Sequence, residues 1–200
     1  MRWELADKAL DSEFLRTVEL LSGQNVSECY QCGKCSSGCP ALADVELSPN
    51  RVIRMTQLGL EDDALDNEMI WSCAGCGTCT GRCPEGIDVG RIFDALRAIA
   101  ERKGIVHAPG ATQVRTFYRA FLDCVREFGR NSEVGLMAAY NISSGRLMTN
   151  VVKAPWFLLK TKISFTAHKV KRLDRMKRVF QRIEEIEEAQ WKKLGIGAGQ

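Results

Sequence analysis

The 200-residue chain contains no apolar run long enough to span a bilayer. Its one uncharged stretch, 134–145, is too short and includes Asn141, Ser143, Ser144 and two glycines. The amino terminus, MRWELADKALDSEF, is acidic and amphipathic, without an apolar signal core or a small-residue cleavage site. Such a terminus predicts a protein that is not exported, hence a cytoplasmic one. Gly-x-Gly-x-x-Gly and the Walker loop are both missing, so no flavin, NAD or nucleotide site is expected. No nucleophile–base pair is visible either. His107 and His168 have no Cys, Asp or Glu at metal-ligand spacing and read as structural or surface residues.

What remains is an ordinary globular composition, 45% hydrophobic and 26% charged, with one anomaly. The chain has nine cysteines. Eight fall in two tight groups, which favours metal ligation over a disulfide framework in a chain without an export signal. Charge divides the chain in two. Residues 1–105 carry eleven Lys/Arg against seventeen Asp/Glu, and residues 106–200 carry seventeen against eight. An acidic cysteine-bearing domain (1–105) and a basic extension (106–200) are expected.

The cysteine groups are an internal repeat. Cys29, Cys32, Cys35, Cys39 and Pro40 recur as Cys73, Cys76, Cys79, Cys83 and Pro84, each 44 residues on, and Gly33 matches Gly77. A [4Fe–4S] cube needs four thiolates, one at each iron. Three cysteines at x-x spacing let one loop cover three corners, and the fourth ligand comes from elsewhere. In two-cluster ferredoxins the cysteine before proline ligates the other cluster. Carried over, Cys29, Cys32, Cys35 and Cys83 hold one [4Fe–4S] cluster, and Cys73, Cys76, Cys79 and Cys39 hold a second. Gly33, Gly38, Gly75, Gly77 and Gly81 would let the backbone turn tightly around inorganic sulfide. Structural zinc also uses four cysteines, but as two separated pairs, so the iron–sulfur reading is preferred.

Helical signals surround the motifs. Leu10, Phe14, Val18 and Leu21 form a stripe that Gly23 stops. Ser48-Pro49 reads as an N-cap with proline at the first helical position, followed by Val52, Met55 and Leu58 and closed by Gly59. Asp88 caps a helix bearing Val89, Ile92, Phe93, Leu96 and Ile99, ended by Gly104. No alternating strand appears in 1–105. Beyond it, helices are predicted over roughly 112–129 (Val114, Phe117, Phe121, Cys124, Phe128), 132–148 and 166–193, with a mixed stretch over 154–165. Residues 195–200 read as disordered. The chain is predicted to be all-α with irregular cluster loops.

CYQCGKCSSGCP (29–40) and WSCAGCGTCTGRCPEGIDV (71–89) resemble the α-helical ferredoxin domain. Among the carriers of that domain, the chain resembles the C subunits of heterodisulfide reductases, over roughly residues 15–105. Succinate dehydrogenase iron–sulfur subunits add a [2Fe–2S] domain, and no cysteine precedes Cys29 here. Glycolate oxidase and glycerol-3-phosphate dehydrogenase types add CCG domains, and no Cys-Cys pair occurs here. The resemblance implies an electron relay between a flavin-containing subunit and a CCG-domain subunit that reduces a disulfide. In methanogens this is the heterodisulfide of coenzyme M and coenzyme B. The chain itself is then expected to conduct electrons without transforming a substrate. Two alternatives stand beside this. One is the iron–sulfur subunit of a respiratory dehydrogenase of the succinate, fumarate or glycolate type. The other is a nucleic-acid-binding protein with structural clusters.

Cys124, on an apolar stripe, reads as a small buried hydrophobe. Lys34 and Arg82 lie inside the cysteine loops, where solvated residues are the commoner case. From Lys153 to Arg182 ten Lys/Arg face one acid, Asp174, while Val170, Leu173, Met176, Val179, Phe180 and Ile183 form an apolar stripe. A docking surface for a partner protein is preferred over a solvated face, and over nucleic acid or anionic lipid. Aromatic residues are sparse there and no base-stacking pattern appears, so no nucleic-acid partner is expected.

Overall fold

A computed structural model describes residues 13–108, 110–145 and 169–197. Every regular element among them is helical, as the sequence predicts. Their contacts divide them into two compact units. The first comprises the described residues up to Thr112 together with 194–197, and the second those from Gln113 to Lys193.

The first unit carries the cysteines. Its helices are α1 (Glu13–Ser22), α2 (Lys34–Ser37), α3 (Pro49–Gln57), α4 (Glu61–Leu65), α5 (Glu68–Ser72), α6 (Thr78–Arg82) and α7 (Val89–Lys103). Of the stripe that predicts α1, Phe14 and Val18 are buried, and Gly23 ends the helix at φ +64°. Leu10 lies outside the described residues. The proline start of α3 is as expected, but the Ser48 hydroxyl makes no cap bond. It donates instead to Asn50 Oδ1 at 2.8 Å. Gly59, at φ +67°, closes this helix, and Leu60 N–H bonds back to Met55 O.

α7 is the pillar of the unit. Asp88 caps it by accepting from Arg91 N–H, and Gly104 ends it in the left-handed region. Ile105 N–H then returns to Ala100 O at 2.9 Å, the bond of a Schellman stop. Val89, Ile92, Phe93, Leu96 and Ile99 are all buried, as their helical spacing requires. α1, α4, α5 and α6 pack against this helix, and α2 packs on α6. Between α4 and α5, buried Asn67 caps α5 through Ile70 N–H and donates to the Asp63 and Ala64 carbonyls. Asp66 Oδ1 accepts from His107 and Ala108 N–H, fastening the chain after α7 onto the end of α4.

The second unit contains most of α8 (Ala111–Phe128), together with α9 (Glu133–Ser143) and α10 (Leu173–Lys193). Phe117 meets Tyr140 edge-on, with ring centroids 6.0 Å apart. Arg126 lies over the Phe180 ring and pairs with Glu184. Ser132 caps α9 through Gly135 N–H. Cys124 is buried, as its stripe predicts, whereas Phe117 is exposed. On α10, Val179 and Ile183 of the expected stripe are exposed, as is Ile186. The expectations for 153–165 and 166–168 fall outside the described residues, as do positions 198–200 of the expected disordered tail. Among the described residues no helix is long and apolar enough to cross a membrane.

Truncating Phe93, which is 1% exposed, removes a ring from the centre of the first unit. Phe93→Ala is expected to cost about 3–5 kcal/mol, read as a lowered denaturant midpoint. Asp88→Ala removes the α7 cap, whose loss alone costs about 1 kcal/mol, together with the acceptor of the Thr80 hydroxyl, so its midpoint should fall by more than a cap alone accounts for.

Candidate metal centre

The sequence repeat is also a repeat of backbone conformation. Cys29 and Cys73, the first cysteine of each motif, sit in extended backbone at φ −70°, ψ 111° and φ −63°, ψ 115°. Gln31 and Gly75 follow in the left-handed region, at φ +64° and +62°. Gly33 and Gly77, at φ +77° and +70°, then start the short helices α2 and α6, which carry the third cysteines. Cys39 and Cys83 leave those helices extended again, at φ −79°, ψ 120° and φ −74°, ψ 119°. Each loop thus winds its first three cysteines round one turn and sends the fourth away.

The packing of α2 on α6 decides where the fourth goes. One cavity is lined by Cys29, Cys32, Cys35 and Cys83. The other, about 420 Å³, is lined by Cys39, Cys73, Cys76 and Cys79. The structure therefore gathers the eight predicted cysteines into two sets, each with three thiols from one motif and one from the other. The first cavity is the narrower. Its other walls include Ile53 and Ile87, and those of the second include Met69 and Phe93. Buried Val89, at the start of α7, lines both.

The donor set fits an iron–sulfur cluster. Each cavity offers four thiols; the first has no other acidic or histidine side chain in its wall, and the second adds Asp88 and Asp94. Among the described residues, which include all eight cysteines, no three His, Cys, Asp or Glu are gathered tightly enough to share one ion. Three of the five glycines expected to shape the loops, Gly33, Gly75 and Gly77, take positive φ. Gly38 and Gly81 do not. Gly38, at φ −115°, instead leaves room for the Arg82 guanidinium, which a Cβ there would meet at 2.6 Å. Arg82 donates to Ser37 Oγ at 3.5 Å, reaching from the second motif to the first, while Lys34 is exposed.

Electrostatics repeat as well. Burial pushes the Cys35 and Cys79 thiols up, and hydrogen bonding by Ser36 and Thr80 partly offsets this. Exposed Cys76 lies 3.4 Å from the Thr78 hydroxyl, whose hydrogen bonding holds that thiol below its ordinary value.

Several positioning residues escape a reading that follows cysteines alone. Ser36 Oγ donates to Asn50 Oδ1 at 2.6 Å in the first turn of α3, and Thr80 Oγ1 donates to Asp88 Oδ1 at 2.9 Å at the cap of α7. Both tie the residue after the third cysteine to the next long helix. Their 44-residue offset is a signal the sequence does offer. Gln57 Nε2 donates to Val26 O and Cys29 O, and Gln24 Oε1 accepts from Asp88 N–H. These glutamines have no such signal.

Comparison with known proteins points to the same class of cofactor. Residues 25–87 match the model of the 4Fe-4S dicluster domain. An iron–sulfur C-type subunit of CoB–CoM heterodisulfide reductase from Methanocaldococcus jannaschii is 35% identical over 121 residues, covering 57% of this chain and 64% of that protein. The C2 subunit of an H2/formate:CoB–CoM heterodisulfide, ferredoxin reductase from Methanococcus maripaludis is 33% identical over 113 residues, 54% and 61% of the two chains. An iron–sulfur C-type subunit of CoB–CoM heterodisulfide reductase from Methanopyrus kandleri is 35% identical over 101 residues, 50% and 48%. The matches thus span about half to under two thirds of these relatives' own lengths. With a 4Fe-4S dicluster domain matched at residues 25–87, the chain is similar to the iron–sulfur C subunits of heterodisulfide reductases.

Proposed function

We propose that this chain is the electron-transfer subunit of a heterodisulfide-reductase-type complex, holding two [4Fe–4S] clusters and acting in the cytoplasm. The observation that carries the proposal is the crossed sorting of eight thiols into two cavities, three from one motif and one from the other in each. Cys29, Cys32, Cys35 and Cys83 would hold one cluster, and Cys73, Cys76, Cys79 and Cys39 the other. Bound there, such clusters supply one-electron redox chemistry over a potential range that the protein tunes. The chain's own part is to fix eight sulfurs, to back them with apolar walls that leave Cys32 and Cys76 exposed, and to keep the two cavities adjacent across Val89.

The names of the relatives support the wider role. They are C subunits of assemblies named for the CoB–CoM heterodisulfide. In this reading the chain receives electrons from a flavin-containing subunit and passes them to a CCG-domain subunit where a disulfide is reduced. Residues 106–200 form the extension that docks to a partner. The exposed apolar side chains Val179, Ile183 and Ile186 on α10 support that assignment.

Anaerobic native purification is the first test. The protein should carry about eight irons, as two cubes require, and emerge in constant ratio with a flavoprotein and a CCG-domain protein. Recovery of the chain alone, fully loaded, would mean a diffusible ferredoxin and would overturn the assignment to a complex. Crossed ligation has its own test. Cys83→Ser should damage the cluster held by Cys29, Cys32 and Cys35, and Cys39→Ser the other, as resolved by electron paramagnetic resonance. Damage confined to the cluster of the mutated motif would sink the crossed assignment.

A further inference from the structure

The two cysteine loops follow one backbone path, and their sequences part at a position that matters. Gln31 and Gly75 are equivalent in the repeat, and both lie in the left-handed region. Glycine occupies that region without cost. A residue with a Cβ meets a steric penalty there, and the usual exceptions are Asn and Asp, whose short side chains bond locally. Glutamine is not among them, and Gln31 is the only non-glycine at positive φ among the described residues. A side chain is therefore kept where the sister loop dispenses with one.

What that side chain does is visible. Gln31 lines the first cavity, and its Nε2 donates to Cys29 Sγ at 3.4 Å. A carboxamide stays neutral and keeps its N–H at every physiological pH. Gly75 offers the second cavity no counterpart. There the side-chain neighbours of the thiols are Thr78 at Cys76 and Thr80 at Cys79, at different places in the loop and independent of Gln31.

We propose that Gln31 is a positioning residue that raises the reduction potential of the cluster in the first cavity, acting through Cys29. The inference rests on the ligand assignment proposed above. An N–H aimed at a ligand sulfur stabilises the more negative, reduced form more than the oxidised one, which moves the potential upward. Reduction adds one electron and neither makes nor breaks a bond at Gln31. The strained backbone holds the carboxamide in place, as expected of strain stored at a working site.

The test is a dithionite potentiometric titration of the full-length chain, followed by electron paramagnetic resonance. It compares wild type, Gln31→Gly and Gln31→Glu, with the first cluster's signal identified through Cys83→Ser. Gln31→Gly removes the donor and relieves the strain. Its first-cluster reduction equilibrium should fall several-fold while the second stays put, iron content is unchanged and Tm rises. Gln31→Glu keeps the chain length but presents a carboxylate, so the same potential should fall at least as far with no gain in Tm. Unchanged potentials in a fully loaded Gln31→Gly protein would overturn the proposal. So would loss of iron from that variant, which would make Gln31 a requirement for assembly. A wild-type chain that binds fewer than two cubes fails at the ligand assignment, and the role of Gln31 falls with it.

Discussion

Four thiols must face one small volume, and a single Cys-x-x-Cys-x-x-Cys turn supplies three. The rest of the first unit follows from that shortfall. α2 packs on α6, and with the motifs held together the last cysteine of each lines the other's cavity. Two four- and five-residue helices cannot hold each other in register unaided. Ser36 and Thr80 fasten them to the starts of α3 and α7, whose buried faces supply the rigidity. The apolar core of this unit is in that sense a jig for sulfur atoms.

Much of this was legible in the sequence because it is periodic. The cysteines repeat at a fixed offset, and α7 has a buried stripe with a cap at one end and glycine at the other. Both kinds of signal are local or regular, so no fold is needed to find them. What could not be read are the bonds made by single side chains across long separations. Nothing near Gln57 announces that it holds the Cys29 carbonyl, and nothing near Gln24 points to Asp88. The glycines divide for a related reason. Gly33, Gly75 and Gly77 are favoured by their own dihedrals, whereas Gly38 lies against the mobile end of the Arg82 side chain, 44 residues away. A glycine that makes room for a neighbour looks in sequence like one that makes a turn.

The second unit obeys different rules. Ala120 and Cys124 are its buried apolar side chains among the described residues, while Phe117, Leu122, Val179, Ile183 and Ile186 are exposed. Its ion pairs, such as Arg178 with Asp174 and Arg182 with Glu185, lie on exposed helix surface, where each contributes about 0–1 kcal/mol. Helical periodicity therefore located α8 and α10 but overstated how much of their stripes would be covered, since spacing reports amphipathicity and not what lies opposite.

The crossing of the fourth cysteines also has a consequence in time. As the chain is synthesised from its amino terminus, the first motif emerges complete with Cys29, Cys32, Cys35 and Cys39, yet neither cavity then has its full set of sulfurs. The second cavity waits for Cys79 and the first for Cys83, four residues later. A nascent chain stopped between the motifs supplies three thiols to the first cavity and one to the second. The order of the cysteines thus delays both sites to almost the same moment of translation, and a truncated product is left without a finished site of either kind.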